Sequence, residues 1–309
     1  MAQLIKLRDY VSRYEQNPFH YPTQFIRLKQ ENWRKLVEAW ELENEAEAKA
    51  VDEESGEGED SFFNFRWNPF RKRKKEVEEE PIFFKRQLPQ TKDQLKKYFL
   101  NQLYPFQLKW ATSTLTQVSY TEEDPYFDQR LKYFLQHFPD IYLIMYYPIF
   151  NIKKAPVDLE IIMISPVEIE VITVVDSRPE ETVVVDDDRV WRIESELNER
   201  TIISPIIGLK RTERIIRSIL QSYDLTYDIR KTVLSRDSNF LYMTEPYNVS
   251  LVGKQRYKQW YEEKRELSAS LKGAQLKVAE ALLAHCLSTS VRRPEWEREE
   301  DDSIFILGD

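Results

Sequence analysis

Between Val157 and Val175 the chain reads VDLEIIMISPVEIEVITVV. Two strongly apolar, largely β-branched stretches flank Ser165-Pro166, a pattern that suits neighbouring buried strands. A two-residue turn at Ser165-Pro166 would pair Ile164 with Val167, Ile162 with Ile169, Glu160 with Val171 and Asp158 with Thr173. Opposed residues share a face, and so do alternate residues along each strand. Asp158, Glu160, Val171, Thr173 and Val175 would then line one face, with Glu168 and Glu170 on the other. A one-residue register shift, from a bulge or another loop, would bring the four acids together. Alternatively, the acids are the polar alternation of half-exposed strands, with Asp158 and Glu160 as an exposed edge pair.

The segments around this hairpin alternate between helical and extended patterns. Helical pattern fills Gln94 to Tyr104, Tyr126 to Phe138 and Leu209 to Gln221. Extended pattern fills Ile141 to Tyr147, Val157 to Ile164, Val167 to Val175, Thr182 to Val185, Val190 to Ile193, Tyr227 to Leu234 and Val249 to Val252. This order predicts an α/β domain whose sheet is covered by helices, over residues 91–253. Residues 1–43 read as an N-terminal helical region, interrupted near Pro18 and Pro22. Its second helix spaces Phe25, Leu28, Trp33, Leu36, Val37 and Trp40 as a packing stripe. Residues 44–90 read as a charged, disordered insertion, residues 254–290 as one long C-terminal helix, and residues 291–309 as an acidic tail.

Composition closes several functional classes. The 309 residues include only 6 glycines, and no GxGxxG, GxxxxGK[ST] or GxSxG occurs. Nucleotide-cradling loops and a hydrolase nucleophile elbow are therefore not expected. His20, His137 and His285 are isolated from one another, and Cys286 is the single cysteine. These exclude an internal disulfide and a cysteine-built metal site, and they leave carboxylates as the groups for any catalysis. No apolar run is long enough to span a membrane, and the first residues contain no uninterrupted apolar leader core. The expected location is the cytoplasm, with no membrane partner.

Charge is uneven. Residues 41–60 hold ten acids against one lysine, and residues 294–309 seven acids against one arginine, within a total of −8. The remaining body is net positive, which is compatible with a polyanionic partner. Lys210, Arg211, Arg214 and Arg217 are interleaved with the apolar positions of one amphipathic helix. Arg71, Lys72, Arg73, Lys74 and Lys75 follow Phe65, Trp67 and Phe70, a combination suited to phosphates and stacked bases. Read more plainly, both groups are solvated charge.

From Tyr126 onward, order and spacing resemble the nuclease-related domain (NERD) family, a branch of the PD-(D/E)xK, restriction-endonuclease-like fold. The likeness spans roughly Asp124 to Val252. It rests on a helix ending in Phe138-Pro139, the strand IYLIMYYPI, EIIMISP at Glu160 to Pro166, VEIEVITVVD, Trp191, and SPIIG at Ser204 to Gly208 opening a helix. The resemblance implies a mixed sheet flanked by helices and a nuclease site holding Mg²⁺ or Mn²⁺ between two acids, with a lysine beside the attacking water. Aligned on Ser165-Pro166, Glu160 takes the first acid, Thr173 the second, Val175 the lysine and Gly208 a glutamine. Threonine and valine replace neither charge, so the motif is degenerate and neither metal nor cofactor is expected.

Two other readings stand beside this pseudonuclease. An active nuclease would use Asp158, Glu168 and Glu170, with Glu160 in support, Asp158 and Glu168 on the metal, and Lys153 or Lys154 as the cation. An adaptor would instead use its helices to bind a protein partner or a second copy of the chain. The expected partners are DNA or RNA, or a protein.

Overall fold

The computed structural model describes residues 1–52, 88–120, 125–186, 189–196 and 198–293, without the side chains of 45–52. Arg71 to Lys75, most of the charged insertion and the acidic tail from 294 lie outside the described residues. The chain divides into two compact units, Arg27–Leu103 and Met1–Ile26 with Tyr104–Asp309.

In chain order the helices are α1 (Arg13–Gln16), α2 (His20–Asp52), α3 (Lys92–Thr112), α4 (Gln129–His137), α5 (Pro205–Ser222), α6 (Lys254–Glu266) and α7 (Gly273–Leu283). The first strands are β1 (Gln3–Leu7), β2 (Gln117–Val118), β3 (Leu143–Tyr146), β4 (Ile149–Ile152), β5 (Ala155–Asp158), β6 (Ile161–Ile164) and β7 (Glu168–Val174). They are followed by β8 (Thr182–Val184), β9 (Val190–Glu194), β10 (Glu199–Ile203), β11 (Asp228–Leu234), β12 (Asn239–Leu241), β13 (Ser250–Val252) and β14 (Val291–Arg292).

The fold is mixed α/β. A six-stranded sheet runs β1-β3-β6-β7-β11-β13, and a four-stranded sheet runs β10-β9-β8-β12. In the larger sheet β6 is antiparallel to β3 and β7, while β7, β11 and β13 run parallel. Both faces of its middle are covered: Ile161, Ile162, Ile164, Ile169, Val171 and Ile172 are all fully buried. Helix α5 packs on one face of β7 and β11. The opposite face receives Trp260 and Lys264 of α6. In the smaller sheet Trp191 is fully buried, its ring 6.2 Å from Phe240.

Several elements depart from the sequence expectation. The N-terminal region does not begin as a helix: Gln3–Leu7 forms β1, buried along its whole length beside β3. Five residues carry too little periodicity to choose helix over strand, and an open sheet edge decides. Its polar members are satisfied inside, Gln3 on Asp140 O at 2.8 Å and Lys6 on Tyr10 O at 2.8 Å, Ser288 Oγ at 2.7 Å and Glu15. Helix α1 stops at Gln16 and α2 starts at His20, the break Pro18 and Pro22 require. Within the smaller unit the aromatic stripe is packing, with Trp33 against Phe99 at 5.2 Å and Trp40 donating to Pro89 O at 2.6 Å.

The single C-terminal helix is two. It breaks over residues 267–272 and restarts at Gly273, where Gln275 Nε2 turns inward to Ile141 O (2.6 Å) and Ile164 O (3.0 Å). Helix α3 continues through Pro105 to Thr112 instead of ending at Tyr104. The expected strand Val157 to Ile164 is divided at Leu159-Glu160. Its first part pairs with β4 in a separate ribbon, and its second enters the large sheet.

Candidate functional site

The hairpin turn is the first determinant of the site. Ile164 pairs with Ile169, Met163 with Glu170 and Ile162 with Val171, so the expected pairing of Ile164 with Val167 is wrong. Ser165 N donates to Glu168 O at 2.9 Å, which leaves Pro166 and Val167 as the two turn residues. Ser165 Oγ accepts from Val167 N and Glu168 N at 3.2 and 3.0 Å. Proline suits the first central position of a turn and not the second, so the turn sits one residue later than expected. Moving a two-residue turn by one residue slides the pairing by two. Every side chain therefore keeps its face, and only its partner changes.

Continued by one residue, this register sets Glu160 opposite Thr173. Beside them the N-terminal turn of α5 passes close. A β-carbon on Gly208 would overlap the Glu160 carboxylate, so glycine is what admits Glu160 there. Glu160 N donates to Thr212 Oγ1 at 3.2 Å, tying the start of β6 to the same helix. Glu160, Thr173, Val175 and Gly208 all line one cleft of about 480 Å³. Its walls add Asp176, Arg200, Ile202, Ser204, Ile207 and Arg211.

The electrostatics are mixed. Burial pushes the Glu160 carboxyl above its ordinary range, against the opposing effects of Thr173 and the Arg211 charge. Arg130 clamps Asp176 through Nη2 at 2.5 and 2.6 Å, and donates from Nη1 to Tyr147 Oη at 2.9 Å. Tyr147 has a left-handed backbone (φ 44°), uncommon for an aromatic residue, and burial raises its pKa against the opposing effect of Arg130. Arg200 reaches Asp176 O at 2.9 Å and Glu181 Oε2 at 3.2 Å, while Arg211 reaches Asp158 O at 2.9 Å.

A magnesium or manganese ion of the kind the resemblance implies is held by carboxylates and other oxygens. Here Thr173 offers a neutral hydroxyl, Val175 nothing, and Asp176 is already held by Arg130. Among the described residues, no three His, Cys, Asp or Glu side chains are grouped to hold a metal. The residues do not fit the ion.

The structure does not bring the alternative acids together. Glu168 and Glu170 face α6, away from Glu160. Lys264 Nζ contacts Glu168 Oε1 at 2.6 Å and Glu170 Oε2 at 2.9 Å. Trp260 Nε1 and Thr232 Oγ1 donate to Glu170 Oε1 at 2.9 and 2.5 Å, and Arg230 lies 3.3 Å from Glu168. Asp158 sits exposed on β5 at the base of the β4–β5 ribbon, while Lys153 and Lys154 form its far turn with φ of 51° and 66°. Neither lysine stands beside the acids.

Lys210, Arg211, Arg214 and Arg217 are exposed on α5. Arg217 pairs with Glu213 at 2.8 Å, and Glu213 also holds the buried Lys231 under the helix. The stripe starts at the cleft, because Arg211 is part of its wall. Sequence reasoning missed Arg200 and Ser204, which β10 and the α5 N-cap supply. SPIIG marked the helix start, but only the folded chain puts β10 against it. Lys264, which closes the opposite face, lies too far along the sequence to betray its partners.

No family model matches the chain, and no solved structure matches it. A curated protein named RNA 2′,3′-cyclic phosphodiesterase, from Geobacillus stearothermophilus, is 53% identical over 47 residues, or 15% of each chain. The chain thus spans 15% of that relative's length. Among the described residues no helix is long and apolar enough to cross a membrane.

Proposed function

We propose that this chain is a nuclease-like protein of NERD type that binds a nucleic-acid backbone without cutting it. The observation that carries this reading is the meeting of Glu160, Thr173, Val175 and Gly208 in one cleft that retains a single member of the expected acid pair. Four positions scattered over 49 residues share that wall, as the nuclease-like alignment requires, yet their chemistry holds no metal. The basic stripe leading from Arg211 along α5 supports a polyanionic ligand. Contacts of this kind are salt-sensitive and nearly independent of base sequence. The short likeness to part of a protein named for an RNA cyclic phosphodiester is in keeping with a phosphodiester ligand. The free Cys286 suits the reducing cytoplasm.

The test is incubation of the purified protein with linear and supercoiled DNA and single-stranded RNA, in Mg²⁺ or Mn²⁺. The expected outcome is retention that weakens with salt, and no cleavage. Cleavage abolished by Glu160→Ala would overturn the non-catalytic reading. Cleavage abolished by Glu168→Ala in a variant that still folds would instead restore the alternative acid site.

A further inference from the structure

A nuclease cleft of the expected kind attracts cations, since two carboxylates hold the metal. Several features of this cleft have the opposite sign. It opens at the N-terminus of α5, an 18-residue helix whose dipole presents partial positive charge there. Arg200 and Arg211 stand in its walls, each with guanidinium N–H groups beyond those in the contacts above. Of its two carboxylates, Asp176 is paired with Arg130 and Glu160 is turned onto Gly208.

Ser204 supplies an independent indication. It is the N-cap residue of α5, is 1% exposed, and lines the cleft. Serine at that position ordinarily uses its oxygen to cap the first turn. Here the hydroxyl makes no capping bond and has no hydrogen-bond partner among the described residues. A buried hydroxyl left unpaired is costly, so an unpaired one beside a cleft points to a ligand acceptor.

We propose that Ser204, Arg200, Arg211 and the α5 N-terminus form a phosphate site that takes the terminal phosphate of a nucleic-acid strand. The strand's following phosphates then lie along Lys210, Arg214 and Arg217. A strand end fits better than a continuous backbone because the stripe leaves the cleft in one direction, along α5, and the cleft volume of about 480 Å³ suits a single nucleotide. This inference rests on the backbone-binding reading and assigns that reading its anchoring contact.

The experiment compares wild-type binding of one labelled oligonucleotide bearing a 5′-phosphate, a 3′-phosphate or hydroxyls at both ends, with inorganic phosphate as competitor. One phosphorylated end is expected to bind about 10- to 100-fold tighter than the hydroxyl form, the scale of one net hydrogen bond to a charged group. Ser204→Ala, which removes a hydroxyl with no partner among the described residues, should erase that preference while leaving hydroxyl-ended binding intact. Arg214→Ala should weaken all forms alike. Glu160→Gln should tighten the phosphorylated form by removing a like charge, whereas a metal-centred cleft would weaken. If wild type binds all three ends equally, or if Ser204→Ala keeps the preference, the phosphate site is wrong while backbone binding stands. If no form binds at low salt and phosphate has no effect, both readings fall.

Discussion

On the α6 face of β7, two carboxylates meet a lysine, an arginine, an indole and a threonine. On the α5 face one carboxylate meets a threonine, a glycine and an open cleft. Both faces belong to one hairpin, and their acids are about equally conspicuous in sequence. The difference is completion. Glu170 is 1% exposed and its charge is met inside the protein by Lys264, itself buried. Glu160 lines a space with more donors than the protein uses. A pair of acids two residues apart is therefore weak testimony for a metal site, because the facing helix decides whether they become ligands or a lock.

The largest test of this contrast is Lys264→Met. Burial opposes the charge on Lys264, but Glu170 and Glu168 outweigh it and raise its pKa. Removing the lysine leaves two acids without their shared partner, and a loss of about 3–5 kcal/mol is expected in urea unfolding. An unchanged midpoint would mean that the acids are solvated and open to other use. Next is Thr232→Val, which keeps shape but takes one donor from Glu170; about 1.5–3 kcal/mol should go.

Glu160→Gln should behave in the opposite way. Burial raises the folded pKa of Glu160, so the charged form costs stability as pH rises past the unfolded value and through the folded one. The variant should therefore gain on wild type as pH climbs from about 4 to about 7. Thermal melts across that range, showing the gain shrinking instead, would mean that Glu160 is a fully paired anion. The smallest effect belongs to Arg217→Ala. Burial would raise the Glu213 pKa, but its bonds to Lys231 and Arg217 hold it below the ordinary range. The stability this gives is present above the unfolded pKa and lost as pH falls through the lowered one. Lys231 remains in the variant, so no more than about 1 kcal/mol should disappear near neutrality.

How far the sequence revealed this arrangement follows from what each feature depends on. The faces of the hairpin were legible because the two-residue alternation survives a slide of two. The pairing itself was not, since it hung on which turn position Pro166 occupies. Helix α5 announced itself through Ile216, Ile219 and Leu220 against a basic surface. β10 did not, because Glu199, Arg200 and Thr201 are exposed and carry no apolar period. The locking of Glu170 by Thr232, Trp260 and Lys264 spans 62 to 94 residues, and separations of that size leave no local pattern.

The placement of β1 has a consequence for the chain as it is made. Gln3 pairs with Leu143, and Tyr10 bridges to Thr289. Closing so long a loop costs little more than closing a short one, but it cannot happen early. On the ribosome QLIKL must wait for roughly 140 further residues before its neighbour exists. In that interval it is an unpaired apolar strand, the kind of segment that seeks other chains. Lys6, which ends fully buried against Glu15, interrupts the strand with charge while it waits. Replacing Lys6 with leucine is thus a hazard during synthesis as well as a defect of the finished fold.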